Sequence, residues 1–159
     1  TQKLTAIFKE CRRVLRPSGL LVFTFHHGKN AAWRAIYRSL MDSRFRITNV
    51  FPVRSEGESA FHGDEGNIKW DAVIVCRPTE GIATNVRDED LWLAVEQHLG
   101  VWEQRLSRAN LKFSRADKIS LGYALTVQIL SGQSLTMEEE QQNFDYISKQ
   151  LGIRLVINK

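Results

Sequence analysis

A short apolar run at residues 20–25 constrains the fold of this chain more than any other feature. It reads Leu-Leu-Val-Phe-Thr-Phe, is nearly continuous and shows no alternation of polar and apolar positions. Such a run is typical of a strand in a parallel sheet that helices cover on both faces. We therefore expect an α/β fold, in which this strand needs neighbours that the chain alone does not supply.

The segments around this strand have the patterns of an alternating α/β chain. Apolar residues spaced three and four apart predict a helix over residues 2–16, and Pro17 ends it, because proline disfavours helix in the residue before it. A second helix is predicted over residues 31–43, followed by strands over residues 45–53 and 68–76. The predicted order is helix, strand, helix, strand, strand.

The second half of the chain has a helical pattern. Residues 78–84 have the composition of a linker, and helical periodicity begins near Asp88. We accordingly divide the chain into residues 1–80, the α/β part, and residues 84–159, a helical extension.

Two signatures mark helix starts in this extension. Ser114 with Asp117, and Thr136 with Glu139, have the spacing of capping boxes, in which each side chain accepts from a backbone N–H near the helix start. Residues 154–157 are expected to form a short strand or an extended tail.

Charge and cysteine content limit the classes of function. The net charge is +4, and residues 1–80 hold the excess, with 13 Lys/Arg against 8 Asp/Glu. A basic bias of this size fits an anionic partner such as DNA, and it fits a solvated surface as well. Cys11 and Cys76 are far apart and are expected to be buried, unpaired thiols. The absence of a membrane-spanning run or a signal-peptide pattern favours a cytoplasmic location.

Polar side chains directly follow the apolar strand, and open α/β sheets bind ligands beyond such strand ends. His26, His27 and Lys29 are therefore candidates for contact with substrate, phosphate or a flipped base. The alternative is that the two histidines only end the strand and meet water. Neighbouring strand residues point to opposite faces, so both histidines are not expected to reach one ligand. No metal site is expected, because the pattern lacks a third ligand.

Further candidates lie on the second helix and after the second strand. Trp33 has a ring suited to stacking on a base, and its helical spacing also fits the core. Arg54 opens a polar loop, residues 54–67, that suits either ordering by substrate or a tether. Four arginines fit either phosphate contact or a solvated face: Arg34, Arg38, Arg44 and Arg46.

Two stretches of sequence resemble known proteins. Residues 10–23 contain the sequence RVLRPSG followed by an apolar strand, which resembles the helix, turn and fifth strand of class I methyltransferases, usually written RVLKPGG. Ser18 stands where glycine is usual. The segments FTFHH, FRITNVFPVRSE and DAVIVCRP, with the helix that contains Trp33, are similar to the C-terminal half of prokaryotic adenine-specific DNA methylases, a group described as containing a Zn ribbon.

This resemblance covers about residues 4–80, and the segment SRADKISLGYAL resembles the extension that follows in those proteins. It implies a partial Rossmann-like methyltransferase sheet, strands five to seven with flanking helices, followed by an α-helical segment. The implied reaction of the complete protein is methyl transfer from S-adenosylmethionine to the exocyclic amine of adenine in DNA. Such an enzyme works on a base taken out of the stack.

Two motifs of that family have no match in this chain. They are the glycine-rich cofactor loop and the catalytic tetrad of Asp or Asn, two prolines and an aromatic residue; no Pro-Pro pair occurs here. We therefore assign no catalytic residue, expect no cofactor to bind the chain alone, and expect the chain alone to transfer no methyl group. Its expected partners are DNA and the missing N-terminal half of the methyltransferase domain.

Two other classes of function fit the same patterns. One is a non-catalytic binding or oligomerisation module, because a truncated sheet has an open edge that invites self-association. The other is half of a methyltransferase that acts on RNA, protein or a small molecule, since the turn motif is common to all of them.

Overall fold

Five helices and three strands form the part of the chain that a computed structural model describes, residues 2–55, 68–80 and 91–157. In chain order they are α1 (Gln2–Val14), β1 (Leu21–Phe25), α2 (Asn30–Met41), β2 (Phe45–Arg54), β3 (Trp70–Pro78), α3 (Leu91–Arg108), α4 (Arg115–Leu130) and α5 (Met137–Ile157). The α/β class and the order of the first five elements are as predicted. None of the described helices is both long and apolar enough to cross a membrane.

The helix boundaries agree with the local signals, with one exception at the end of the chain. The predicted capping box at Ser114 is confirmed: its Oγ accepts from the backbone N–H of Asp117 at 3.1 Å. Thr136 and Glu139 make the corresponding contacts at the start of α5. The expectation of an extended segment at residues 154–157 is wrong, because α5 continues through Ile157. The predicted helix start near Asp88 lies outside the described residues.

The three strands form an antiparallel sheet, whereas the apolar pattern of β1 predicted a parallel one. The strand order is β1-β3-β2, and β3 runs antiparallel to both neighbours. The expected parallel neighbour of β1 is therefore not found among the described residues. Because β1 and β2 are both antiparallel to β3, they run parallel to each other, and α2 connects them. The sheet is thus a β-α-β unit with a third strand inserted between its two parallel strands.

The two faces of this sheet differ in burial. Phe23 pairs with Ile74, which pairs in turn with Val50, and this row lies on the side that the helices cover. We call this side the covered face. The next residues along the three strands are Thr24, Val73 and Phe51. They form a row on the opposite side.

We call this opposite side the open face, and it also carries Val22 and Val75. Val22 is 51% exposed and Phe51 is 41% exposed. The described helices pack mainly on the covered face, although the Trp102 ring of α3 also contacts Phe51 edge-on, with the centroids 6.2 Å apart. Helices on both faces of the first strand are therefore not found among the described residues.

The helices build the covered side in successive contacts. Helices α2 and α4 pack against the sheet, while α1 packs against α2, and its Phe8 ring lies 5.4 Å from the Phe23 ring. Helices α3 and α5 pack against α4. A Cβ at Gly122 of α4 would lie 2.6 Å from a Leu151 methyl carbon, so glycine permits the close approach of α5. One hydrophobic core includes side chains from both halves of the chain.

Candidate functional site

The carboxyl ends of β1 and β2 lie at the same edge of the sheet, next to the start of β3, because β1 and β2 are parallel. We call this the carboxyl edge. It brings together the turn after β1, which contains His26 and Lys29, the end of β2 at Arg54, and Asp71 at the start of β3. Four of the five predicted site residues therefore belong to this edge or to the turn beside it.

His26 and Asp71 form the central contact of the carboxyl edge. The His26 Nδ1 and the Asp71 Oδ1 form an ion pair if the ring is protonated, and a hydrogen bond if it is neutral. The His26 side chain is 47% exposed and that of Asp71 is 22% exposed. Strand alternation places both residues on the open face, in register with Val53 of β2.

This contact has a chemical consequence for the histidine. When the carboxylate of Asp71 accepts the Nδ1–H of His26, the other ring nitrogen, Nε2, carries the lone pair and is a hydrogen-bond acceptor. Asp71 was not among the site residues predicted from the sequence. The available signal was its position as the acidic residue in an otherwise apolar stretch, between Trp70 and Ala72.

His27 has a structural role that differs from that of His26. Its backbone N–H donates to Ser120 Oγ at 3.3 Å, and its backbone carbonyl accepts from the Trp33 indole N–H at 2.7 Å. Its ring Nδ1 accepts from the backbone N–H of Lys29 at 3.0 Å. These bonds fix the turn between β1 and α2 and tie it to α4. The two histidines therefore differ in their contacts.

Trp33 lies in the core rather than at the carboxyl edge surface. It is 0% exposed, and its ring packs edge-on against Phe25, with the centroids 4.8 Å apart. A ligand base cannot reach a ring face that protein atoms cover on all sides, so the burial favours the core role over base stacking. Lys29 is exposed, occupies the position before α2, and makes no side-chain cap there.

Arg54 and the arginines of the second helix have separate surroundings. Arg54 is exposed at the end of β2, and the following residues of the predicted loop, 56–67, lie outside the described residues. Arg34 and Arg38 both form ion pairs with Glu140 of α5, whose side chain is 3% exposed. They therefore hold α2 against α5, and they are not part of the carboxyl edge.

Asp117 connects the carboxyl edge to the helical layer. It is 1% exposed, and its Oδ1 accepts from the backbone N–H groups of Lys69 at 2.6 Å and Trp70 at 3.1 Å. The same side chain caps α4 through its second oxygen, which accepts from the Ser114 N–H at 2.8 Å. One carboxylate therefore fixes both the start of β3 and the start of α4, and it orients the strand that carries Asp71.

The two cysteines and the metal-ligating residues give no further site. Cys11 and Cys76 are both free thiols, and burial raises the pKa of Cys76 to about 12. Within residues 2–55, 68–80 and 91–157, no group of three His, Cys, Asp or Glu side chains is arranged to hold a metal ion.

Comparison of the chain with protein-family models, with curated proteins and with solved structures found no match.

Proposed function

We propose that this chain is the C-terminal part of a class I methyltransferase that transfers a methyl group from S-adenosylmethionine to the exocyclic amine of adenine in DNA. The observation that carries the proposal is the open face of the sheet together with the unpaired edge of β1. Two parallel strands joined by α2, with the described helices mainly on one face, are what a doubly wound sheet leaves when its other half is removed.

The open face favours a partner on energetic grounds. Val22 and Phe51 leave about half of their side-chain surface in water, and Val53 is 36% exposed. Covering each of them contributes about 1 kcal/mol of hydrophobic stabilisation. The edge of β1 that faces away from β3 also has backbone groups without a strand partner among the described residues. A further strand there would pair with those groups, and a helical layer would cover the valines.

The carboxyl edge supports the chemical part of the proposal. Ligands of open α/β sheets bind beyond the carboxyl ends of the parallel strands, and His26 and Asp71 lie there on the open side. A missing half that covers the open face would bring its own residues next to this pair. The choice of DNA as substrate rests on the similarity of residues 4–80 to adenine-specific methylases and on the basic excess of residues 1–80.

The proposal is tested by reconstitution. The segment encoded immediately upstream of Thr1 is produced together with this chain, and transfer of label from S-adenosylmethionine is measured on DNA, RNA and protein. We expect that the assembly forms N6-methyladenine in DNA, and that this chain alone labels nothing. Labelling of DNA by the purified chain alone, or labelling of RNA or protein by the assembly in place of DNA, contradicts the proposal.

A second function is favoured by the same open face, namely a self-associating module without catalytic activity. Two copies that stack their open faces against each other would cover the valines of both. Sedimentation over a range of protein concentrations separates the two proposals. A dimer that the Val22→Asp substitution dissociates supports the module, and a monomer at high concentration excludes it.

A further inference from the structure

A groove of about 520 Å³ lies at the end of the sheet opposite the carboxyl edge. Its walls come from the end of α2, the start of β2, the residues that follow β3, and the turn between α4 and α5. Its size is within the usual range for small-molecule sites. None of the predicted site residues His26, His27, Lys29, Trp33 and Arg54 lines it, so it is separate from the site described above.

The groove has an excess of unpaired positive charge. Arg38, Arg44 and Arg46 all line it, and Arg38 is neutralised by its ion pair with Glu140. Within the described part of the chain, Arg44 and Arg46 make no ion pair. Two acidic residues are also in the wall, but Glu80 is engaged by Arg12 at 2.8 Å.

Asp42 is thus the one acidic residue of the described groove wall that has no ion-pair partner. Two free guanidinium groups against one free carboxylate leave the groove positive. Guanidinium groups present several donors in a planar fork, which matches the oxygens of a phosphate.

The backbone of Arg44 is held in an unusual conformation. Its φ is 55°, in the left-handed region, which is unfavourable for a residue with a side chain. Two backbone hydrogen bonds hold Arg44 in this conformation. Its N–H donates to the Met41 carbonyl at 3.0 Å, and its carbonyl accepts from the Thr79 N–H at 2.9 Å. Glycine or asparagine is the usual residue in such a conformation after a helix. A strained arginine at the mouth of a groove indicates a use for its side chain.

Tyr37 contributes a buried donor to the same groove. It is 3% exposed and lines the groove, and no described residue forms a hydrogen bond with its hydroxyl. Burial, reinforced by the nearby charge of Glu140, raises the pKa of Tyr37 to about 12. The hydroxyl is protonated at neutral pH, as any tyrosine is, and is able to donate a hydrogen bond to an acceptor on a ligand. Met41 and Leu135, which are half-buried, supply an apolar wall beside it.

We propose that this groove binds a small phosphate-bearing ligand with a flat, apolar body, of mononucleotide size. Arg44 and Arg46 bind the phosphate, Tyr37 donates a hydrogen bond to the ligand, and Met41 and Leu135 contact its body. The site does not depend on the methyltransferase proposal, because it is formed entirely by described residues of this chain and lies at the end of the sheet opposite the carboxyl edge.

The proposal is tested by titrating the chain with adenosine 5′-monophosphate, adenosine and inorganic phosphate, followed by calorimetry or amide chemical shifts. We expect the nucleotide to bind at least about tenfold more tightly than either probe alone, a difference of about 1.4 kcal/mol. The shifted amides should belong to residues 41–46 and 131–135. A short single-stranded oligonucleotide serves as the fourth probe, and tighter binding than the mononucleotide would identify a nucleic-acid strand as the source of the phosphate.

Substitutions of Arg44 and Arg46 test nucleotide binding, and the melting temperature of each variant shows whether its stability has changed. Arg46→Gln should weaken nucleotide binding about tenfold. Arg44→Gly should weaken it similarly, while the relief of backbone strain leaves the melting temperature unchanged or higher. Arg108→Gln, on the exposed end of α3, is the matched control and should change neither quantity.

Three outcomes overturn the proposal. The first is equal affinity for the nucleotide and adenosine, which removes the role of the arginines. The second is equal affinity for the nucleotide and inorganic phosphate, which removes the role of the apolar wall. The third is the absence of saturable binding up to millimolar ligand, where a dissociation constant of about 1 mM corresponds to a binding free energy of about 4 kcal/mol.

Discussion

The covered and open faces of the sheet are made by alternate residues of the same three strands, yet their surroundings are opposite. Ile74 is 0% exposed beneath α4, while Val22, on the open face of the neighbouring strand, is 51% exposed. Strand alternation alone would place polar residues on a face that remains in water. The open face carries the polar residues Thr24 and Asp71, but it also carries valines and Phe51, whose ring meets Trp102 of α3. The strands therefore present apolar side chains on a second face, which the described helices cover only in part.

The largest effect that this comparison predicts is at the centre of the covered face. Ile74→Ala leaves a cavity beneath α4 and should lower the free energy of unfolding by about 3 kcal/mol. Val22→Ala, the matched change on the open face, should cost about 0.5 kcal/mol in the isolated chain. Urea denaturation of both variants measures the difference. Equal losses at the two positions would show that the open face is also packed.

The second-largest loss of stability is expected at Asp117, which links the start of β3 to the start of α4. Asp117→Ala removes one half of the α4 capping box and leaves the N–H groups of Lys69 and Trp70 without their acceptor. We expect a loss of about 2 kcal/mol in the free energy of unfolding. Thr136→Ala, at the exposed cap of α5, is the control and should cost about 1 kcal/mol. A loss no greater than that of the control would show that Asp117 acts only as a helix cap.

The covered face also predicts a dependence of stability on alkaline pH. Burial raises the pKa of Cys76 from 9.0 to about 12, so the unfolded chain loses the thiol proton at a lower pH than the folded chain does. The stability contributed by the protonated thiol is complete below pH 9 and is lost between pH 9 and about 12. The slope for this one group is at most about 1.4 kcal/mol per pH unit.

Cys76→Ala provides the test of that slope. Removal of the thiol should flatten the fall in unfolding free energy above pH 9, whatever stability it costs at neutral pH. Tyr37, whose pKa is also raised to about 12, retains its own contribution in this variant above pH 10. An unchanged slope in Cys76→Ala would contradict the burial of the thiol.

The smallest effect is expected at the exposed pair on the open side. Asp71→Asn removes the charge beside His26, and because the His26 side chain is about half exposed, the cost should be about 0.5 kcal/mol. The readout is the chemical shift of the two His26 ring nitrogens, which should lose their preference for a proton on Nδ1. His27, held by the Lys29 N–H, is the internal control and should be unaffected.

The sequence predicted the elements better than their arrangement. Apolar spacing and capping residues located α1, α2 and α4, because these signals are local. The apolar run at residues 20–25 predicted that both faces of β1 are covered. The residues of a strand do not specify whether its neighbour runs parallel or antiparallel to it. The antiparallel pairing with β3 depends on residues about fifty positions away, and local periodicity carries no information about them.

The same limit applies to the candidate site. His26 was predicted from its position after an apolar strand, whereas its partner Asp71 was not, since the contact joins residues 45 positions apart. The helical spacing of Trp33 is the same for a surface position and for a core position. Its complete burial results from the packing of α2 against the sheet, which the spacing does not specify. The strain at Arg44 has no sequence signal, because arginine is common after helices.

The central claim is that the open face and the β1 edge receive another part of a methyltransferase domain. Hydrogen exchange of the β1 amides that point away from β3 tests it most directly, in the isolated chain and in assembly with the segment encoded upstream. We expect fast exchange in the isolated chain and strong protection in the assembly, with α3 and α5 unchanged. Slow exchange in the dilute isolated chain, or no added protection in the assembly, would contradict the claim.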